Sequence, residues 1–524
     1  MSDEGSTTTL HWKIRRDPYL RPVCEKHGEA AAIDAGFFWD DDEEDAPLDD
    51  VERLCTPFPK LAGRPRASDR RPVVLLSTGA FCPVHDGHLE MMNRARAAAE
   101  RAGFDVLGGY LSPGHDRYIA LKCGPAAIPA YERMRGCAEA VRGSDWLSVD
   151  PWEALHRRVS VNYTDVAARL RAYLRRHVDP RIEVLYVCGG DNARFALAFT
   201  EEGGCVVVGR PTGEAEAAKW RARLEGHPRI LWCNGDHPAA SRALRAPVWT
   251  PPPRPRVVLR VEDARAVRTL GLSAATHAAF AEALADLVAA HAEVRVVKAG
   301  TGGTGSATSA EVDGAVLSLD AMEEATGELR AGTRALAISR LFALGGYEQL
   351  GHVARPGSPP LAEQLARIPA GRYVLSDDDQ MTGGTIAAVR ALLPSSIAIT
   401  ATRFALARDA DEDVLDARDF LLGADEGGLV VALPGGETAR AIYALPFVDP
   451  AVRASTRATG GAGGAHVDPH AFSRAIWSLN AKTFEGSPLA VRDLPSPARA
   501  LLRQASTPDD MLLSAYCAER AATL

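Results

Sequence analysis

The stretch that most constrains the fold begins at a short apolar run, Val73–Ser77 (VVLLS). It runs directly into Gly79-Ala80-Phe81-Cys82-Pro83-Val84-His85-Asp86-Gly87-His88, and helix-forming residues follow over Leu89–Ala102. A brief apolar run of this kind reads as a buried parallel strand. Strand, glycine- and proline-rich loop, then helix is the unit in which α/β proteins bind ligands, at the carboxyl end of the strand. The helix N-terminus offers unsatisfied N–H groups and the positive end of a dipole, both suited to phosphate. Gly79 and Gly87 let the backbone approach a ligand closely. His85 and His88, three apart, can donate to phosphate oxygens from one pocket and stabilise charge that builds there. The competing reading is a metal pair or two loop histidines.

Further strands are expected at Val106–Leu111, Val184–Cys188, Cys205–Val208 and Ile230–Cys233. Helices are expected between them, such as Tyr131–Val141 and Tyr163–His177. This alternation predicts a doubly wound parallel sheet over residues 71–247. Residues 1–70 read as an N-terminal extension, and their acidic run Asp40–Asp50 as a solvated loop. Pro247–Pro255 (PVWTPPPRP) reads as a stiff linker, placed at 248–256. A second α/β pattern occupies 257–502, with strands at Val257–Val261, Val294–Lys298, Ala335–Ser339, Tyr373–Ser376, Ile397–Thr402 and Leu429–Leu433. Residues 503–524 read as a C-terminal tail. The fold class is therefore α/β, with two doubly wound parallel-sheet domains.

Bulk properties set the outer limits. A chain of 524 residues exceeds one core and suggests two to four domains. It is 46% hydrophobic and 24% charged, in the range of soluble globular proteins. No apolar run reaches the ~20 residues that span a bilayer, and the first twenty residues lack the apolar core of a secretory signal. The net charge of -8 argues against a broad nucleic-acid surface. Nine cysteines without a C-x-x-C spacing fit reduced thiols, a cytoplasmic location and no zinc site. The sequence leaves a homo-oligomer open.

The G-x-F-x-P-x-H-x-G-H pattern resembles the HxGH nucleotidyltransferase superfamily. Within it the likeness is to nicotinamide or nicotinate mononucleotide adenylyltransferases, and it covers about Pro72 to Pro247. Leu111–Tyr118 (LSPGHDRY), Ile128–Met134 (IPAYERM), Asp150–Glu153 (DPWE), Cys188–Asp191 (CGGD) with Phe195, and Val206–Arg210 (VVVGR) match its segments in order. The resemblance implies a Rossmann-like fold in which His85, His88 and Arg245 are catalytic. It implies that Gly79, Phe81, Gly87, Ser112, Gly189, Asp191, Arg210 and Ser241 bind the nucleotide. Asp116, Tyr118, Arg133, Trp152 and Glu153 would hold the acceptor, with Trp152 stacked on its ring. ATP and a mononucleotide are the implied substrates. Mg²⁺ is implied because pyrophosphate must leave with its charge neutralised; no residue is assigned to the metal.

Those roles suit the residue types. A flat indole suits an electron-poor ring, though Trp152 also fits a core. Asp191 can accept from ribose hydroxyls or cap a helix. Arg133 and Arg210 can hold phosphate or form surface ion pairs. The phosphate clamp departs from the family, reading Ala239–Arg245 (AASRALR), with Ser241 and Arg245 matched and Arg242 where Thr is usual. That departure opens the acceptor to a non-pyridine nucleotide.

Tyr373–Thr385 (YVLSDDDQMTGGT) is a second strand–loop–helix pattern. Asp377 and Asp378 can accept from two ribose hydroxyls, and Thr382, Gly383, Gly384 and Thr385 can present N–H groups to a 5′-phosphate. The competing reading is an ordinary acidic loop. The motif resembles the PRPP site of type I phosphoribosyltransferases, which implies PRPP and a base as further substrates. Arg340 in Ala335–Gly346 and Lys298 before the GTGGTG run of Gly300–Gly305 are candidate phosphate contacts. Both motifs in one chain imply a bifunctional enzyme of NAD-type dinucleotide synthesis or salvage. The alternatives are an unusual nucleotide product, and a second domain that only senses PRPP or a nucleotide.

Overall fold

The computed structural model describes residues 51, 54–62, 69–157, 160–235, 241–250, 256–261, 269–298, 315–319, 333–344, 349–377, 384–404, 409, 412–424, 429–433, 436–448, 469–504 and 507–524. The acidic run Asp40–Asp50 and the GTGGTG run lie outside them. The chain divides into two compact units, Met1–Thr250 and Pro251–Leu524, with the division inside the proline-rich segment.

The first unit runs β1 (Arg71–Gly79), α1 (Asp86–Arg101), β2 (Phe104–Pro113), α2 (Asp116–Cys123), α3 (Ala130–Val141), β3 (Leu147–Val149), α4 (Trp152–His156), α5 (Tyr163–His177), β4 (Glu183–Gly189), β5 (Gly204–Val208), α6 (Glu214–Leu224), β6 (Ile230–Cys233) and α7 (Ser241–Leu244). The six strands form one sheet in the order β3-β2-β1-β4-β5-β6. Every pairing is parallel. The order reverses between β1 and β4, so the carboxyl ends of those strands, Gly79 and Gly189, flank a crevice. The sheet is buried as its apolar runs predict: Val73 to Leu76 are each 0% exposed. Val74 and Leu76 pack with Val166, Leu170 and Leu174 of α5. Asn162 caps α5 by accepting from Thr164 N–H at 3.2 Å, and Arg175, Arg176 and His177 face its negative end.

The N-terminal boundary differs from the sequence expectation. Cys55, Phe58 and Leu61 belong to the main core, so residues 54–62 are part of this unit and not an extension. Gly108 on β2 has no Cβ because the Leu61 side chain fills that space. Tyr110 donates to Pro57 O at 2.6 Å, Tyr173 to Thr56 O at 3.0 Å, and Lys60 to Leu147 O at 2.6 Å. Thr56 itself donates to Asp150 Oδ1 at 2.6 Å and accepts from the buried Arg169. Short apolar residues broken by prolines carry no period, which hid this segment from a pattern reading.

The second unit contains β7 (Arg256–Val261), α8 (Ala274–Ala289), β8 (Glu293–Lys298), β9 (Ala315–Ser318), β10 (Thr333–Ala335), β11 (Ile338–Ala343), β12 (Gln349–Ala354), α9 (Leu361–Ala366), β13 (Gly371–Asp377), α10 (Gly384–Leu392), β14 (Ile397–Phe404), β15 (Glu412–Asp416), β16 (Leu429–Ala432), β17 (Thr438–Ala441), α11 (Pro469–Thr483), α12 (Ser496–Gln504) and α13 (Leu513–Thr523). Among the described residues the strands form three sheets, β10-β9-β13-β14, β12-β11-β16-β17 and β15-β7-β8. The expected single doubly wound sheet is not what they form. The first and third are parallel, but β12 and β17 pair antiparallel with their neighbours. Apolar runs identify strands and not their partners, and β12 (QLGHVA) and β17 (TARA) are too weakly apolar to register as strands. The expected strand Ala335–Ser339 is broken at the buried Leu336 and Ala337, which pass the chain from one sheet to the next. The C-terminal tail is also integral. Tyr516 on α13 packs edge-on against Trp477 of α11, with ring centroids 5.8 Å apart.

Thr56 offers a test of the N-terminal boundary. Thr56→Val removes a hydroxyl shared by Asp150 and Arg169 inside the core. Leaving such groups short of a partner costs about 1–3 kcal/mol. Urea denaturation of the full chain should show an earlier first-unit transition, whereas a detached extension would leave it unmoved.

Candidate active site

A cleft of about 590 Å³ opens at the carboxyl ends of β1 and β4. The loop after β1 forms one side. Phe81 adopts φ 41°, a left-handed conformation that costs a non-glycine residue about 1–3 kcal/mol. Its ring is buried, packs edge-on to His88 at 4.9 Å, and lies 3.3 Å from where a Cβ on Gly79 would stand. A side chain at 79 would therefore push this ring by a few tenths of an ångström.

His85 and His88 cap α1 reciprocally. His85 Nδ1 accepts from Gly87 N–H at 3.1 Å, and His88 Nδ1 accepts from His85 N–H at 3.2 Å. Acceptance at Nδ1 fixes the neutral tautomer, with the proton on Nε2 of each ring. The rings lie 3.9 Å apart and both line the cleft. Burial, then the neighbouring His85, Arg210 and Lys122, push the His88 pKa down to about 3. At neutral pH His88 is an uncharged donor through Nε2–H. Gly87 contributes its N–H to this cap and does not line the cleft.

The cleft is cationic although the chain is not. Lys122, Arg194, Arg210, Arg242 and Arg245 line it, against Asp191 and Glu153. Arg245 donates to Cys82 O at 2.9 Å, which ties the segment after β6 to the β1 loop. Ser241 lines the cleft from α7. Arg210 Nη1 stands 3.5 Å from Asp191 Oδ1, near the end of β4. Lys122 lies over the Tyr118 ring at 5.5 Å. Glu153 accepts from His115 N–H at 3.0 Å, and burial pushes its carboxyl up to about 8. It is therefore protonated at neutral pH and leaves the positive charge of the cleft undiminished. An aromatic wall completes the site: Tyr163 stacks on Phe195 at 4.7 Å and lies 5.1 Å from Tyr186, whose hydroxyl meets Thr78 Oγ1 at 2.8 Å.

Of the residues expected from sequence, the cleft gathers Gly79, Phe81, His85, His88, Tyr118, Glu153, Gly189, Asp191, Arg210, Ser241 and Arg245. Besides Gly87, four others stand outside its lining. Arg133 is fully buried and bonds to Ile128 O at 2.9 Å, Ala80 O at 3.2 Å, Gly114 O at 2.7 Å and Asp116 Oδ1 at 2.8 Å. It pins the two loops that flank the cleft. Asp116 completes that clamp by accepting from Ala130 N–H at 3.0 Å. Ser112 donates to Asp150 Oδ2 at 3.1 Å inside the core. Trp152 is 1% exposed, with the Arg157 and Arg169 guanidinium carbons each 5.2 Å from its ring. Its indole is a core residue in this structure. Tyr163 and Tyr186 are missed by the sequence reading because they sit in core-patterned segments without a motif, and Arg194 because it is a variable position between the motif residues Asp191 and Phe195.

In the second unit, Asp377 ends β13, an interior strand of the parallel sheet, and Gly384 and Thr385 open α10. Asp378, Thr382 and Gly383 lie outside the described residues. Arg340 lies on β11, in a different sheet from β13. Lys298 is the last residue of β8. No group of three or more His, Cys, Asp or Glu is placed to hold a metal ion among the described residues.

Residues 76–202 match the cytidylyltransferase-like family model, in keeping with the Rossmann-like parallel sheet of the first unit. The chain is 37% identical over 150 residues to a nicotinamide/nicotinic acid mononucleotide adenylyltransferase of Arabidopsis thaliana, covering 28% of this chain and 60% of that protein. It is 44% identical over 82 residues to nicotinamide/nicotinic acid mononucleotide adenylyltransferase 2 of Danio rerio, covering 16% of this chain and 26% of that protein. The rice adenylyltransferase is 36% identical over 148 residues, 27% of this chain and 57% of that protein. The chain thus spans less than two thirds of these relatives.

Two substitutions test this description. Arg133→Met strands three backbone carbonyls and should cost on the order of 3 kcal/mol in chemical denaturation; a guanidinium serving only substrate would cost little. For Glu153 the raised pKa means that its stabilising contribution is full below about pH 4.5 and is lost as pH rises through about 8. Glu153→Gln should flatten that fall, seen as higher stability than the natural protein above pH 8. Equal slopes would show that the carboxyl is not held protonated.

Proposed function

We propose that the first unit transfers the adenylyl group of ATP to the phosphate of nicotinamide or nicotinate mononucleotide and releases pyrophosphate. The observation that carries this reading is the reciprocal cap at α1, which puts the proton of each imidazole on Nε2 in rings that line a cationic cleft. An oxygen of the acceptor phosphate attacks the α-phosphorus. The bond from that phosphorus to the β-phosphate oxygen breaks, and pyrophosphate leaves with the electron pair. The nucleophile is already anionic, so no base is needed. Catalysis is positioning plus stabilisation of charge on the phosphate oxygens. His85 and His88 donate to them, assisted by the α1 N-terminus, Arg245 and Ser241. Asp191 accepts from ribose hydroxyls, and Mg²⁺ brought with ATP would supply neutralising charge for the leaving pyrophosphate. The curated relatives, named as mononucleotide adenylyltransferases, support the acceptor class.

The second unit, in this proposal, binds PRPP and transfers its phosphoribosyl group to a base, which makes the mononucleotide that the first unit consumes. Support comes from an acidic residue, Asp377, at the end of an interior parallel strand, with the next described element the helix that opens at Gly384. A PRPP- or nucleotide-sensing role is the second reading, favoured by Arg340 lying in another sheet. A non-pyridine acceptor is favoured by the burial of Trp152.

Mass spectrometry of the full chain with ATP, Mg²⁺ and either mononucleotide should show a dinucleotide. His88→Ala should lower kcat by about 100- to 1,000-fold, the loss typical of one transition-state donor. No dinucleotide from either acceptor would overturn the pyridine assignment.

A further inference from the structure

Arg194 reaches the cleft from the helical segment Gly190–Phe199, which follows β4. Its guanidinium carbon lies 5.4 Å from the Phe195 ring centroid. Its Nε is buried and has no hydrogen-bond partner among the described residues. A buried donor without an acceptor is costly, and a charged one more so. Three of the other four cations of the cleft are differently placed. Arg210 meets Asp191, and Arg245 meets the Cys82 carbonyl. Lys122 and Arg210 are the cations that act on His88. Arg194 instead belongs to the wall where Phe195 stacks on Tyr163. That wall is flat, aromatic and open to the cleft through Tyr163, Tyr186 and Phe195.

From this placement we infer that Arg194 binds an anionic oxygen of the acceptor nucleotide while the acceptor's ring lies against the Tyr163–Phe195 wall. This rests on the adenylyl-transfer reading above. A guanidinium fork suits either a phosphate or a carboxylate. The acceptor offers both chemistries: a phosphate on every mononucleotide, and a ring carboxylate on nicotinate but not on nicotinamide mononucleotide. Arg194 thereby selects the acceptor by charge, at a point of the cleft separate from the histidine pair that serves ATP.

The test is steady-state kinetics of the full chain with Arg194→Gln, varying ATP, nicotinamide mononucleotide and nicotinate mononucleotide in turn. The KM of the acceptor should rise about tenfold or more, the value of one charge-assisted hydrogen bond, while the KM of ATP stays within about twofold. A rise shared by both acceptors identifies the phosphate as the partner. A rise confined to nicotinate mononucleotide identifies the carboxylate. An unchanged acceptor KM, or a rise confined to ATP, overturns the inference while the adenylyl-transfer reading stands. Natural protein that yields no dinucleotide from either acceptor overturns both. If the glutamine variant fails to fold, Arg194→Lys keeps the charge but loses the fork, and the same split in KM is expected, with no split overturning the inference.

Discussion

Two imidazoles that cap one helix and each other hold the site together. A helix begins with N–H groups that lack partners inside the helix. Here the Gly87 N–H is taken by His85, and the cap residue's own N–H is taken by His88. The local need of the helix thus decides the chemistry of the rings. Each Nδ1 is occupied by backbone, so each ring offers Nε2–H outward. Burial and nearby cations then keep His88 uncharged. An uncharged donor is not repelled by the surrounding positive groups and adds a hydrogen bond beside them. Phe81 holds the arrangement from behind, at the expense of a strained backbone.

The rest of the first unit serves to keep that loop in place. Arg133 ties the loops after β1 and β2 through three carbonyls. Arg245 ties the segment after β6 to the same loop. Thr56, Asp150, Ser112 and Arg169 form a buried polar cluster, with Arg169 against the Trp152 ring. Such a cluster specifies geometry when its members are satisfied. The N-terminal residues 54–62 complete it, so the Glu153 side of the cleft depends on a segment far from it in sequence.

What was legible in the sequence was what is local. The strand, loop and helix around His85 lie within thirty residues, and their pattern predicted both the element types and the cleft. The segments that contribute from afar, at Asp191, Arg210 and Ser241, were found because they carry motifs. Tyr163 and Tyr186 carry none, Arg194 is an unspecified position inside one, and their places in the cleft follow only from how α5, β4 and the helical segment after it pack. Arg133 and Trp152 show the opposite failure: their side chains suit a ligand, but tertiary packing claims them first. In the second unit, β13 and α10 stand where their sequence implied. Their sheet partners did not follow from it, because strand order depends on long-range packing that an apolar run does not encode.

The central claim is that His85 and His88 are neutral Nε2–H donors poised for a nucleotide's phosphates. Nitrogen-15 NMR of histidine-labelled protein measures this directly, since it distinguishes the two ring nitrogens and their protonation. The account predicts that at neutral pH both rings carry the proton on Nε2, and that His88 stays neutral well below the ordinary histidine pKa. A proton on Nδ1 of either ring, or a His88 that titrates near pH 6.5, would contradict it.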